Sequence, residues 1–209
     1  MHDKLTRVVP HDDDALHHDS DVPVLTPAGQ FKQAAVLIPV VQHDDQWQVL
    51  FIRRAANKQD RHSGQVAFPG GRLEAGDSTH IAAALRETQE EIGVDPGRVN
   101  IVGHIRPYIT ISHYQVTPIV GVVDWPTTLR LQSSEVARAF LIPLSWLRDQ
   151  ANFTMRARLE MDPLSARRHP IIVYNEFDGE ILWGATARMT LNFLKAIDDG
   201  KIPLPPGNG

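Results

Sequence analysis

The chain is predicted to fold as an α/β protein, a sheet covered by helices on both sides, and three observations carry that prediction. Short runs rich in Val and Ile recur along the chain, a sharply patterned helical segment stands among them, and a second amphipathic segment follows near the end. At 209 residues the chain is long enough to bury one sheet and several helices around a single core.

Residues 1–31 read as a polar, loosely ordered arm. Its His11, Asp12, Asp13, Asp14, His17, His18 and Asp19 form either a metal-holding tract or a solvated tail. The domain proper is expected over 32–200, with a Pro/Gly-rich tail over 201–209. Runs 34–41 and 49–53 read as strands joined by a turn at His43 to Gln46. Residues 78–92 read as a helix. Asp77, Ser78 and Thr79 offer N-caps, Ile81, Ala84, Leu85, Thr88 and Ile92 form a mostly apolar stripe, and Gly93 and Pro96 supply a stop. Runs 99–106 and 116–123 are further strands. Segments 135–140 and 144–149 are expected as short helices divided by Pro143, which lacks a donor. Runs 171–175 and 181–183 form a hairpin with Asp178-Gly179 at its turn, and 185–197 closes the fold as an amphipathic helix. Trp183 is expected in the core.

Composition narrows the function. A net charge of −4 suggests neither a nucleic-acid partner nor a polybasic membrane contact, which leaves a small-molecule substrate. The chain has no cysteine, so thiolate nucleophiles, disulfides and Cys-type zinc sites are excluded together. No apolar run has the length of a membrane helix and the first residues lack a signal pattern, so a cytoplasmic location is expected.

The most informative feature is a crowd of acids on the helix, in Arg86-Glu87-Thr88-Gln89-Glu90-Glu91-Ile92-Gly93. Residues three and four apart on a helix share a face with Cβ atoms about 5–6 Å apart, so Glu87 neighbours both Glu90 and Glu91. Like charges at that spacing destabilise a helix unless a cation lies between them. Hard Mg²⁺ or Mn²⁺ takes such oxygen ligands together with substrate phosphate. The alternative is a solvated acidic face partly balanced by Arg86. Just upstream stands the pair Gly70-Gly71, which permits close backbone approach or simply turns the chain after a strand.

Gly71, Arg86-Glu87, Glu90-Glu91, Gly93 and Val94 resemble the box of the Nudix hydrolases, which runs Gly, five residues, Glu, seven residues, Arg-Glu, an aliphatic, any residue, Glu-Glu, any residue, Gly, an aliphatic. Two positions depart from it: Asp77 replaces the first Glu, with eight rather than seven residues before Arg86, and Thr88 sits at an aliphatic position. His62-Ser63-Gly64 and Phe68-Pro69-Gly70-Gly71 are similar to the segment preceding the box in the coenzyme A pyrophosphatase branch. There a basic patch comes first. Here that patch is Arg53, Arg54, Lys58 and Arg61, with Ala55 and Asp60 where the pattern puts arginines. Similarity to the branch continues over 112–120, at Glu135 and over 182–187.

The resemblance implies an α/β/α sandwich with a mixed β-sheet. It also implies metal-dependent hydrolysis of the diphosphate of coenzyme A or its thioesters, giving 3′,5′-ADP and 4′-phosphopantetheine. Other nucleoside diphosphate derivatives, or a domain that senses such a ligand without cutting it, are the alternatives. By the same resemblance Glu87 and Glu91 are direct metal ligands, Glu90 binds a further ion or orients water, Gly71 contributes a carbonyl, and a homodimer is plausible. Arg86 is expected to fix a glutamate rather than touch substrate. Candidate substrate contacts are Arg54, Arg61, His62, Gly64 and Glu135. His62 is either a donor to phosphate or pantetheine or a structural hydrogen-bonder. Glu135 is either a general base or a helix N-terminal acid. Tyr114 either stacks on a base or packs.

Overall fold

The computed structural model describes residues 31–56, 63–110, 112–156 and 171–204. The metal-tract question at the amino end, and Lys58, Arg61 and His62, lie outside them.

Strands β1 (Lys32–His43) and β2 (Gln46–Arg54) meet at Asp44 and Asp45, whose φ values of 49° and 58° form the tight turn that matches strand twist. The two strands pair only where Val40 to His43 face Val49 to Gln46, and then diverge. Two short strands fill the wedge: β3 (Val66–Ala67) pairs with β2, and β4 (Gly70–Arg72) pairs antiparallel with β1. The glycine pair therefore sits inside the sheet at its point of divergence.

Helix α1 (His80–Ile92) follows, then β5 (Val99–His104), β6 (Tyr108–Ile109) and β7 (Tyr114–Val123). β7 lies parallel to the other edge of β1, from Lys32 opposite Tyr114 to Val40 opposite Val122, and carries β5 and β6 on its far side. β8 (Val136–Pro143) completes the mixed sheet against β2. Helix α2 (Leu144–Arg148), strands β9 (Phe153–Arg156), β10 (Ile171–Phe177) and β11 (Glu180–Trp183), and helix α3 (Gly184–Asp198) complete the described chain. The last three strands form a separate antiparallel sheet.

Side chains alternate between the two faces of the large sheet. Ala35, Leu37, Val41, Leu50, Ile52, Ile119 and Val123 pack toward α1, against Ala83, Ala84 and Ile92. Ala34, Ile38, Val40, Val49, Phe51 and Val120 face the other way, onto Met189 and Phe193 of α3 and Ile172, Tyr174 and Leu182 of the small sheet. Phe51 stacks on Phe68 at 4.9 Å and on Phe140 at 6.1 Å. The result is an α/β/α sandwich, as expected.

Three local expectations are corrected. Segment 136–140 is strand, not helix, and Glu135 lies in the turn before it. Its Ala and Arg favour helix intrinsically, but the free edge of β2 offers a ladder from Gln48 to Arg54, and Val136, Phe140 and Ile142 bury their side chains there. Trp183 is 42% exposed, because alternation along β11 turns Leu182 inward and Trp183 outward.

The third concerns α1, which starts two residues later than predicted, with Thr79 as N-cap accepting from the Ala82 N–H at 3.0 Å. Its buried face is Ala83, Ala84, Thr88, Glu91 and Ile92, while Ile81 is exposed. The small Ala83 and Ala84 let the helix close on Ala35 and Leu37 of β1, and Thr88 satisfies its hydroxyl on the Ala84 carbonyl at 2.6 Å. That rotation carries Glu91 inward.

Candidate active site

β4 has a strand partner on one edge only. The Leu37 N–H donates to the Pro69 carbonyl and the Leu73 N–H to the Gln33 carbonyl. The alternation between those bonds makes Gly71 the hydrogen-bonded partner of Ala35. The peptide groups of Gly71 therefore turn toward β1, and those of Gly70 and Arg72 turn toward α1. Side chains of α1 take the place of the missing strand: Glu91 Oε2 accepts from the Gly70 N–H at 2.9 Å, and Arg86 Nη2 donates to the Arg72 carbonyl at 3.2 Å. The carbonyl directed at the glutamates is consequently that of Gly70, one residue before the Gly71 expected from the sequence. Gly71 has a different role. A β-carbon there would stand 2.5 Å from the Glu87 carboxyl carbon, so glycine is the residue that admits this carboxylate against the strand.

Arg86 bridges the acids. Its Nε and Nη2 donate to the two oxygens of Asp77 at 3.1 and 3.0 Å, and Nη1 donates to Glu87 at 3.0 Å and Glu90 at 2.9 Å. The Asp77 carboxylate also accepts from the Glu74 N–H at 2.8 Å, which closes the loop between β4 and α1. Asp77, the departure from the box, is thus the bidentate partner that locks Arg86 in place. The Arg86 contact draws the Asp77 carboxyl below the usual range.

The three box glutamates occupy different environments. Glu90 is exposed and held by Arg86. Glu87 is half-buried, and burial raises its carboxyl above the ordinary value despite Arg86 alongside. Glu91 is 2% exposed, and burial pushes it up to about 7, against the opposing pull of the Gly70 N–H and of Arg54, whose Nη1 lies 3.7 Å from Glu91 Oε1. Glu135, just before β8, adds its negative charge to both Glu87 and Glu91. With strand rather than helix from Val136 onward, Glu135 has no helix dipole to complement.

Among the described residues no three acidic or imidazole side chains close around one point. The donor set still suits a hard cation. Glu87 and Glu91 carry oxygen donors whose charged forms are disfavoured by burial and by neighbouring carboxylates, and a divalent ion relieves both costs.

A family model described as NUDIX domain matches residues 31–161. The chain belongs to the Nudix family. Among its relatives, Nudix hydrolase NudL of Pectobacterium atrosepticum, itself uncharacterized, is 34% identical over 177 residues, 85% of this chain and 88% of that protein. The Escherichia coli K12 protein of the same name is 37% identical over 152 residues, 73% of this chain and 70% of that protein. The MutT/nudix family protein of Enterococcus faecalis superposes with a TM-score of 0.51 at 16% identity, covering 83% of this chain and 65% of that one, which speaks to the fold. The protein is therefore a Nudix hydrolase, of a family that acts on pyrophosphate bonds in small molecules and generally uses divalent metal ions. No helix among the described residues is long and apolar enough to cross a membrane.

In this Nudix chain the basic patch divides. Arg54 faces Glu91, whereas Arg53 pairs at 3.2 Å with the buried Glu180, which also receives Arg138 from β8 and so ties the β10–β11 hairpin to the large sheet. Gly64 takes a φ of 72° just before Gln65, whose carbonyl accepts the Arg54 N–H at 3.0 Å. Sequence reasoning missed a further support. The N–H groups of Arg130 and Gln132 donate to the last carbonyls of α1, Ile92 and Glu91, and anchor the loop that delivers Glu135. Backbone donors leave no trace in residue type, so no signal announced it.

The burial of Glu91 has a measurable consequence. Its folded-state value near 7 stands above the ordinary 4.5, so between those limits the folded protein holds a proton that the unfolded chain has lost. Stability of the metal-free protein should then fall as pH rises from about 4.5 to about 7, by on the order of 3 kcal/mol. Thermal melts in EDTA check this, and Glu91→Gln should flatten the profile over that window.

Proposed function

We propose that this Nudix hydrolase cleaves the diphosphate linkage of coenzyme A or its thioesters, giving 3′,5′-ADP and 4′-phosphopantetheine or its acyl derivative. The observation that carries the reading is the joining of the Gly64 to Gly71 segment, similar to the coenzyme A pyrophosphatase branch, to the acidic face of α1 by the Gly70–Glu91 hydrogen bond. Glu87, Glu91 and the Gly70 carbonyl are the ligands for Mg²⁺ or Mn²⁺, with Glu90 at the margin. A bound ion neutralises the bridging diphosphate and makes water a better nucleophile. The chain's own groups do the rest. The Gly70 N–H orients Glu91, Arg86 fixes Glu87, and Arg54, next to Glu91, is placed to exchange that carboxylate for a phosphate oxygen. Glu135 takes a proton from the attacking water, whose oxygen bonds to one phosphorus as that phosphorus's bond to the bridging oxygen breaks and the other phosphate monoester leaves with that oxygen. Arg61, His62 and Gly64 belong to the substrate side of the site. The protein works in the cytoplasm, as a homodimer.

The test is an assay with Mg²⁺ or Mn²⁺ offering coenzyme A beside ADP-ribose, dinucleoside polyphosphates, nucleotide sugars and nucleoside triphosphates. Release of 3′,5′-ADP is expected. Turnover of another member of the panel with coenzyme A untouched would overturn the substrate assignment, and no turnover of any would favour a ligand sensor.

A further inference from the structure

One group of side chains on the opposite face of β4 is not used by this chemistry. Successive residues of a strand point to opposite faces, so Gly71 abuts Glu87 on the α1 side and the Arg72 side chain leaves on the other. There Arg72, Ala34 and Val116 share one row of the sheet, and Lys32 and Tyr114 share the row beyond. The Arg72 guanidinium lies 5.2 Å and the Lys32 ammonium 5.8 Å from the centre of the Tyr114 ring. Among the described residues neither cation has a carboxylate partner, and the Tyr114 hydroxyl is buried with no hydrogen-bond partner. The aromatic face offsets part of the repulsion between two like charges drawn to one ring. Two exposed cations thus lean on one ring with no carboxylate between them among the described residues. An oxyanion bound by both offsets their mutual repulsion, with the ring as the platform that holds them together.

We infer that Lys32, Arg72 and Tyr114 form a subsite for a phosphate monoester carried elsewhere on the nucleotide half of the substrate, distinct from the diphosphate that is cut. The inference rests on the proposed coenzyme A reading, whose substrate bears such a group at the ribose 3′ position. It follows that the protein distinguishes a 3′-phosphorylated nucleotide from its dephosphorylated counterpart. Arg72 follows Gly71, so the subsite begins one residue along β4 from the glycine pair, on the other face of the strand.

Calorimetric titration of the full chain with 3′,5′-ADP and with AMP, in the same buffer, tests it. The wild-type protein should prefer 3′,5′-ADP by about tenfold, the effect of a charge-assisted contact. Lys32→Gln and Arg72→Gln, both at exposed positions, should bring the ratio to within about twofold. Tyr114→Phe, which keeps the ring on which both cations lean, should leave the ratio unchanged. Equal affinity for the two ligands in the wild type, or a ratio unchanged in both the Lys32 and the Arg72 variants, overturns the inference. The two readings fail separately: coenzyme A cleavage with no 3′-phosphate preference removes the subsite alone, and a variant-sensitive preference without coenzyme A cleavage removes the substrate reading alone.

Discussion

Glu91→Gln is expected to lose on the order of 10³-fold in kcat while its metal-free form melts no lower than the wild type at pH 8. The two effects run in opposite directions because of where the residue sits. At 2% exposure the carboxylate gives up hydration, and only the Gly70 N–H and Arg54 offset that cost. The neutral amide keeps an oxygen for the Gly70 N–H and brings no charge to bury. A structural glutamate would behave otherwise, its removal lowering stability and leaving the chemistry alone. Activity with coenzyme A and melting in EDTA, measured on the same preparation, separate the cases.

The adjacent glycines should fail in different ways. At Gly70 the φ of 150° and a β-carbon that would meet the Ala35 carbonyl oxygen and stand 2.5 Å from the Val36 Cα leave only backbone to move. Gly70→Ala should therefore cost about 3 kcal/mol of stability or prevent folding. At Gly71 the obstacle is the Glu87 carboxylate, the end of a flexible side chain, so the fold should survive with that carboxylate displaced. Gly71→Ala should melt within a few degrees of the wild type and lose about 10²-fold in kcat, the cost of misplacing a reacting group by about 1 Å. Similar melting losses in both variants would contradict the division of roles.

The acids themselves were legible in the sequence because helical spacing is local: Glu87, Glu90 and Glu91 could be placed together without knowing the fold. The sandwich was equally legible, since Val/Ile runs and amphipathic segments announce which surfaces must be buried. The rotation of α1 was not. Ile81 is the larger apolar residue, but contact with β1 selected Ala83 and Ala84, and steric fit across a helix–sheet interface is not encoded in hydrophobicity. Segment 135–140 misled because its helix-forming residues were overruled by the open edge of β2, a partner more than eighty residues away in the chain. Asp77 read as an ambiguous departure until its bidentate contact with Arg86 showed its role. The exchange of Gly71 for Gly70 as the carbonyl facing the glutamates depended on strand register, which a two-residue alternation fixes and a sequence motif does not.

The most direct test is the anomalous scattering of manganese in crystals soaked at pH 8, where Glu91 is ionised. A peak is expected between the Glu87 and Glu91 carboxylates and within coordination distance of the Gly70 carbonyl. Crystals with those carboxylates unliganded, and manganese absent or bound elsewhere, would contradict the claim that this helix face holds the ion on which hydrolysis depends.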